Sequence, residues 1–352
     1  MLRAVDLFCG AGGLSRGLTD AGFQVVAAFD SWRPAVESYR ANFPTHAVHQ
    51  RDLATFDFPE LQAQVGRLDL VAGGPPCQGF SIQRIGDDED DRNNLVLTFG
   101  HAVTQLRPRM FMMENVPGIL GKRGLPLFER LRRLVTEAGY EVATTVVNAV
   151  DFGVPQNRNR VVLIGWLADE LSPFSLNQLK PTNAVSVRDA IGDLPSPPAD
   201  HSTTARDPLH RRSKLSPINQ KRIALIPPGG GFESLPPELR AACHRGGAAK
   251  IGHRNVYGRL HPDRPAVTIT ARFDSFTRGQ FAHPWEDRNI TLREGARLQS
   301  FPDDHLFFGT QEEVAALIGN AIPPKMAHGL GKQLAAHLSS ASRLQGPHVR
   351  AA

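Results

Sequence analysis

Arg3-Ala4-Val5-Asp6-Leu7-Phe8-Cys9-Gly10-Ala11-Gly12-Gly13 is the stretch that decides the fold. It reads as a strand over residues 3–8, a glycine turn over 9–13, and a helix over 14–21 with Gly22 as its C′ residue. A second strand over residues 24–29 then ends in Asp30. This makes half of a nucleotide-binding βαβ unit. The glycines let the backbone approach a ligand, and an acid some 20 residues later can accept ribose hydroxyls. Ser15 stands where the dinucleotide fingerprint has its third glycine, and the turn alone reads equally well as a plain tight turn.

Outward from there the βα rhythm continues. A helical segment over residues 34–42 leads to Arg51-Asp52-Leu53 at a strand end, where Asp52 can meet an adenine amine or simply lie at the surface. The apolar run 68–72 predicts a buried strand that enters Gly73-Gly74-Pro75-Pro76-Cys77-Gln78-Gly79-Phe80-Ser81. Two prolines fix the backbone ahead of Cys77. That places the cysteine at the carboxyl end of a strand, where open α/β sheets keep their ligand crevices. There it is either a nucleophile activated toward thiolate or a small buried hydrophobe. The run Asp87-Asp88-Glu89-Asp90-Asp91 reads as a solvated loop. A helix over residues 95–106 precedes a strand over 110–113 that ends in Glu114-Asn115-Val116-Pro117-Gly118, so Glu114 shares the crevice with Cys77. A helix over residues 125–138 and a strand over 141–148 follow. Val154-Pro155-Gln156-Asn157-Arg158-Asn159-Arg160 then opens a strand over residues 161–165.

Beyond about residue 167 the rhythm stops, giving way to stretches such as Pro195-Ser196-Pro197-Pro198 and Pro227-Pro228-Gly229-Gly230-Gly231. Residues 201–288 hold 15 Lys/Arg against 7 Asp/Glu, while the remainder of the chain holds 25 against 28. Positive charge concentrated in one segment is the footprint of a phosphate-backbone partner, the alternative being a merely soluble basic lobe. The 352 residues suffice for two lobes, and a net charge of +5 leans toward polyanions. Three cysteines, Cys9, Cys77 and Cys243, show neither CxxC nor zinc spacing, so a reducing, cytoplasmic setting and no metal are expected. No apolar run reaches membrane-spanning length. Thr291-Leu292-Arg293-Glu294-Gly295-Ala296-Arg297-Leu298-Gln299 reads as a helix from Thr291. Gly319-Asn320-Ala321-Ile322-Pro323-Pro324 introduces a last helix over residues 325–338, with a frayed tail beyond Ser339.

Taken together, these motifs resemble the bacterial-type cytosine-C5 DNA methyltransferases. The matching pieces are residues 6–13, Pro76-Cys77-Gln78, Glu114-Asn115-Val116, Gln156-x-Arg158-x-Arg160, Arg288-x-x-Thr291-x-Arg293-Glu294 and Gly319-Asn320-Ala321-Ile322-Pro323-Pro324. They stand in the family's order across nearly the whole chain, and the resemblance is weakest over residues 169–251. It implies S-adenosyl-L-methionine as methyl donor. Phe8, Gly10, Gly12, Gly13 and Leu14 would line its site, with Asp30 on the ribose, Asp52 on the adenine and Asn320 closing from the carboxyl-terminal motif. It also implies catalysis by Cys77, Glu114 and Arg158. Cys77 would attack C6 of a flipped cytosine, Glu114 would serve N3 and the 4-amino group, and Arg158 would hold O2. Gln156 and Arg160 read as mainly structural, and Cys9 as packing.

The expected fold is a Rossmann-like α/β methyltransferase lobe, residues 1–167 and 288–352, with a smaller irregular target-recognition lobe over 168–287. The last helix should return beside the first strand unit. The expected partner is double-stranded DNA, met by a monomer that a restriction endonuclease of the same specificity can accompany. A tRNA cytosine-C5 methyltransferase is the rival within catalysis, and the basic lobe favours DNA because reading a duplex groove needs such an addition. A catalytically silent DNA-binding protein would leave the filled catalytic positions unexplained. A nicotinamide dehydrogenase would leave Cys77 and Glu114 unused.

Overall fold

The structure is a computed structural model that describes residues 1–76, 94–176, 184–241 and 256–344. Cys77, the acidic run 87–91 and Cys243 lie outside the described residues. Two compact units form: Met1–Asn148 with Asn159–Lys180 and Ile322–Ala352, and Ala149–Arg158 with Pro181–Ala321.

The first unit is built on a seven-stranded sheet. Its strands are β1 (Leu2–Leu7), β2 (Phe23–Asp30), β3 (Val48–Gln50), β4 (Leu70–Gly73), β5 (Met110–Asn115), β6 (Tyr140–Asn148) and β7 (Asn159–Leu167). The spatial order is β3-β2-β1-β4-β5-β7-β6, parallel except that β7 runs antiparallel to both neighbours. Strand order reverses between β1 and β4, which is where open sheets of this kind bind ligands beyond the strands' carboxyl ends.

Strand periodicity explains the layers. Val5, Leu7, Ala27, Phe29, Val71, Phe111 and Met113 point to one face and share a core with α3 (Phe58–Val65), α4 (Asn94–Leu106) and α5 (Leu125–Glu137). The alternate positions, Asp6 and Ala28, face α1 (Gly13–Asp20) and α2 (Arg33–Asn42) through Ser15, Tyr39 and Phe43. Both faces are covered, so β4 and the Met110–Met113 part of β5 are apolar throughout rather than alternating, and Glu114 and Asn115 follow at the strand's carboxyl end. The last helix, α10 (Pro324–Leu344), packs on α1, as the sequence leads one to expect, and runs past Ser339.

The second unit has no strand among its described residues beyond isolated bridges. Its helices are α6 (Val187–Ile191), α7 (Pro217–Leu225), α8 (Leu292–Leu298) and α9 (Gln311–Asn320). The expected return to the large lobe at Arg288 falls instead at Ile322. The reason is the core: Ala296, Leu298, Val314 and Ile318 pack with Val187, Ile191, Leu260 and Ile269, so α8 and α9 belong to the second unit.

Candidate active site

β1 ends at Leu7, and Phe8, Gly10 and Gly12 then take φ of 62°, 54° and 93°. Three left-handed residues within five reverse the chain tightly above the strand end. Glycine suits this at no steric cost, whereas Phe8 holds a left-handed conformation that costs a non-glycine residue energy and persists only because the surrounding structure enforces it. A Cβ on Gly12 would come within 2.3 Å of the Phe43 ring, while one on Gly10 would meet nothing within 4 Å. Space therefore lies in front of the Gly10 backbone. α1 begins immediately after, with no side-chain cap and no acid in its first turn, which leaves its amino end suited to a carboxylate.

Asp30 ties the second strand to this loop. Its Oδ2 accepts from Gly10 N at 2.9 Å and its Oδ1 from Trp32 N at 2.8 Å. Burial pushes its carboxyl up, opposed by those same backbone donors. Arg51 N donates to the Asp30 carbonyl, and Asp52 follows at the end of β3, where its Oδ1 accepts from Ala54 N at 2.9 Å. Phe8, Gly10, Gly12, Gly13, Leu14, Asp30 and Asp52 thus gather along the carboxyl ends of β1, β2 and β3. Beneath the loop, Ser15 Oγ donates to the wholly buried Asp6 at 2.6 Å and accepts from Tyr39 OH at 2.7 Å. Ser15 replaces the third glycine because its hydroxyl anchors α1 to β1. Burial, with Asp6 and Asp30 nearby, pushes the Cys9 thiol well up, so Cys9 is held as a neutral packing group.

Across the reversal in strand order, β4 ends at Gly73. A Cβ there would fall 2.3 Å from the Leu7 carbonyl oxygen. Gly74 and Pro75 follow, with Glu114 Oε2 only 3.5 Å from where a Gly74 Cβ would sit. The turn is held from β5: Asn115 Nδ2 donates to Pro75 O at 3.1 Å, while Asn115 Oδ1 accepts from Val116 N. Glu114 is 7% exposed, and Arg160 Nε lies 2.7 Å from its Oε1. The pair is off the line of a hydrogen bond, so among the described residues this buried carboxylate oxygen has no hydrogen-bond donor and keeps an acceptor site open.

It is Arg160 that the structure pairs with Glu114. Arg158 is almost wholly buried in the second unit, its Nη1 donating to Ile269 O and Gly319 O and its Nη2 to Ala321 O, each at 3.0 Å. Asn320 is exposed at the end of α9 in the same unit. The reason Arg160 rather than Arg158 stands beside Glu114 is register. Glu114 pairs with Val162 across β5 and β7, which makes Arg160, two residues before Val162, its diagonal neighbour on the same face. Period two alone puts both arginines on that face.

Solved structures share this architecture. A chain described as a DNA modification methyltransferase encoded within an E. coli prophage superposes with TM-score 0.76 at 27% identity, covering 96% of this chain and all of the other. The Dnmt2 methyltransferase of S. pombe shares the fold at TM-score 0.68 and 18% identity, over 96% of this chain and 100% of its own. The first unit is thus a Rossmann-like methyltransferase lobe. Among sequence relatives, the Type II methyltransferase M1.HphI of Haemophilus parahaemolyticus is 35% identical over 94% of this chain and 86% of its own. M.DdeI of Desulfomicrobium norvegicum, also a Type II methyltransferase, is 32% identical over 99% and 92%. The profile of the C-5 cytosine-specific DNA methylase family matches residues 2–336, and the chain belongs to that family. It is a methyltransferase acting on C5 of cytosine in DNA, and the tRNA alternative falls. No helix among the described residues is long and apolar enough to cross a membrane.

Proposed function

We propose that this chain transfers the methyl group of S-adenosyl-L-methionine to C5 of a cytosine flipped out of a specific duplex sequence, through a transient bond between Cys77 and C6. The observation that carries this reading is the buried Glu114–Arg160 pair beside the Pro75 turn that leads to Cys77. Cytosine C5 is too weak a nucleophile to take a methyl group unaided. Addition of the Cys77 thiolate to C6 moves an electron pair toward C5 and builds charge over N3 and O2. Glu114, with its open acceptor site, receives the 4-amino group and handles the proton at N3. Arg160, rather than Arg158, meets O2. After transfer a water molecule takes the C5 proton, the C5–H electrons form the C5–C6 double bond, the S–C6 electrons return to sulfur, and the ring regains its aromaticity. These contacts address the Watson–Crick edge and O2 together, which demands a base outside the stack, at a few kcal/mol of unstacking.

When bound, S-adenosylmethionine supplies a methyl group already activated on a sulfonium, without a metal. The open space at Gly10, the uncapped amino end of α1 and the Asp30 carboxylate fit such a molecule. Phe8, Gly10, Gly12, Gly13, Leu14, Asp30, Asp52 and Asn320 would hold it. The enzyme would act as a cytoplasmic monomer, in company with a restriction endonuclease of the same specificity. Duplex DNA carrying 5-fluorocytosine at the methylated position tests the mechanism, because fluorine cannot leave as a proton does. A protein–DNA band surviving denaturation is expected with the wild type and none with Cys77→Ser. A wild type that turns over normal DNA without giving that band would rule out the C6 adduct. Bisulfite sequencing of DNA from cells expressing the protein identifies the site.

A further inference from the structure

A helix leaves its last carbonyl oxygens without donors from its own backbone. At the end of α9 these oxygens are met by buried side chains. Gln299 Nε2 donates to Ile318 O at 2.6 Å, and Arg158 donates to Gly319 O and Ala321 O, the carbonyls flanking Asn320. The guanidinium places its positive charge at the negative end of the helix dipole. Gln156 braces the arrangement, donating to Gln299 Oε1 at 2.6 Å and to Leu298 O at 3.0 Å while accepting from Ile269 N at 2.8 Å. Gln156, Arg158 and Gln299 are all essentially without solvent exposure. Gly319 completes the seat, since a Cβ there would fall 2.2 Å from the Thr270 carbonyl. The backbone on both sides of Asn320 is thus clamped, while the Asn320 side chain itself is exposed.

We infer that Arg158 is a positioning residue for the methyl donor: it fixes the Gly319–Asn320–Ala321 turn so that Asn320 presents its amide to the cofactor. This rests on the reading of Asn320 as a cofactor contact. It separates the two arginines of one motif into different tasks, Arg160 toward the base and Arg158 toward the cofactor.

Lysine at position 158 keeps the charge but lacks the rigid planar fork whose two nitrogens meet the flanking carbonyls separately. Arg158→Lys should therefore raise the dissociation constant for S-adenosylmethionine roughly tenfold or more, the effect of losing a charged hydrogen bond. Turnover at saturating cofactor and trapping of 5-fluorocytosine DNA should stay near wild type. Asn320→Ala should weaken the cofactor similarly, and the double variant should be no weaker than Asn320→Ala alone. Additive losses would overturn the inference, as would an Arg158→Lys protein that binds cofactor normally but traps the fluorinated base poorly. A wild type that binds no S-adenosylmethionine calorimetrically would instead remove the reading on which the inference rests. If Arg158→Lys does not fold by circular dichroism, Gln299→Met takes its place. That variant removes the donor to Ile318 O, and the same selective loss of cofactor affinity is expected; unchanged affinity would overturn the inference.

Discussion

Asp6 lies wholly buried under the glycine loop, its Oδ1 without a hydrogen-bond partner among the described residues and its Oδ2 held by Ser15. Burial pushes its carboxyl up to about 7, the Ser15 hydroxyl opposing and Asp30 adding to the rise. The folded protein then keeps a proton that the unfolded chain has released near the usual 3.8. Stability accordingly declines as pH climbs from about 4 to about 7 and levels off above. Asp6→Asn cannot titrate, so the stability difference, wild type minus variant, should fall by a few kcal/mol between pH 5 and 8. Urea unfolding at several pH values measures it, and a difference independent of pH would contradict the buried proton. At Glu114 the concern is chemistry: Glu114→Gln should leave cofactor affinity intact while slowing methyl transfer roughly 10²-fold or more, read in single-turnover assays. The glycines, Asp30 and Glu114 were legible in the sequence because each sits at a strand end that periodicity can place. The placing of Arg160 beside Glu114 was not, because it depends on which β7 residue faces Glu114, and register between distant strands leaves no local signal.

Between elements, α1 and α10 meet through glycines. A Cβ on Gly17 would lie 2.4 Å from Ala327 Cβ and 2.5 Å from both His328 N and Pro324 O. Backbone atoms stand in the way, and they cannot move as a side chain's far end can. Alanine would gain up to about 1 kcal/mol of helix propensity at this position. Overpacking typically costs about 1–3 kcal/mol, so the clash wins. Gly17→Ala should therefore lower the denaturation midpoint, and a midpoint at or above wild type would show that the helices can part. The start of α8 was legible because a capping residue announced it: Thr291 forms a reciprocal box with Glu294, whereas the same boxes at Ser186 and Thr310 open α6 and α9, which the sequence reading did not place. What no local pattern gave is that α8 and α9 serve the second unit. Glu294 is buried there against Arg288 and His283, and those neighbours hold its carboxyl far below the usual range despite burial. Lobe membership is a property of such tertiary partners rather than of periodicity.

At the scale of the molecule, the basic charge of residues 201–288 divides into two populations. Arg259 spends its whole guanidinium inside the second unit, on Ile223 O, Ile226 O, His283 O, Glu286 O and Asp287. Arg288 is equally committed to Glu286 and Glu294, and Arg222 to Leu239 O, Asn219 and the Tyr257 ring. By contrast Arg206, Lys214, Lys221, Arg264 and Arg278 are exposed and make no side-chain pair among the described residues. A count of charges treats both sets alike, so the footprint of a phosphate backbone is smaller than the sequence suggests and rests on the second set. Removing one phosphate-binding side chain should weaken binding to every duplex sequence alike and flatten the dependence of log K on log salt by about 1. Changing Lys214, Lys221 and Arg278 to Ala together should then reduce that slope by about 2–3, measured by fluorescence anisotropy between about 50 and 200 mM salt, while the melting temperature holds. Arg259→Ala should do the reverse, lowering the melting temperature because it strips donors from four buried or half-buried backbone carbonyls. A triple variant with an unchanged slope would take these side chains off the DNA and direct attention to Arg245, Lys250 and Arg254.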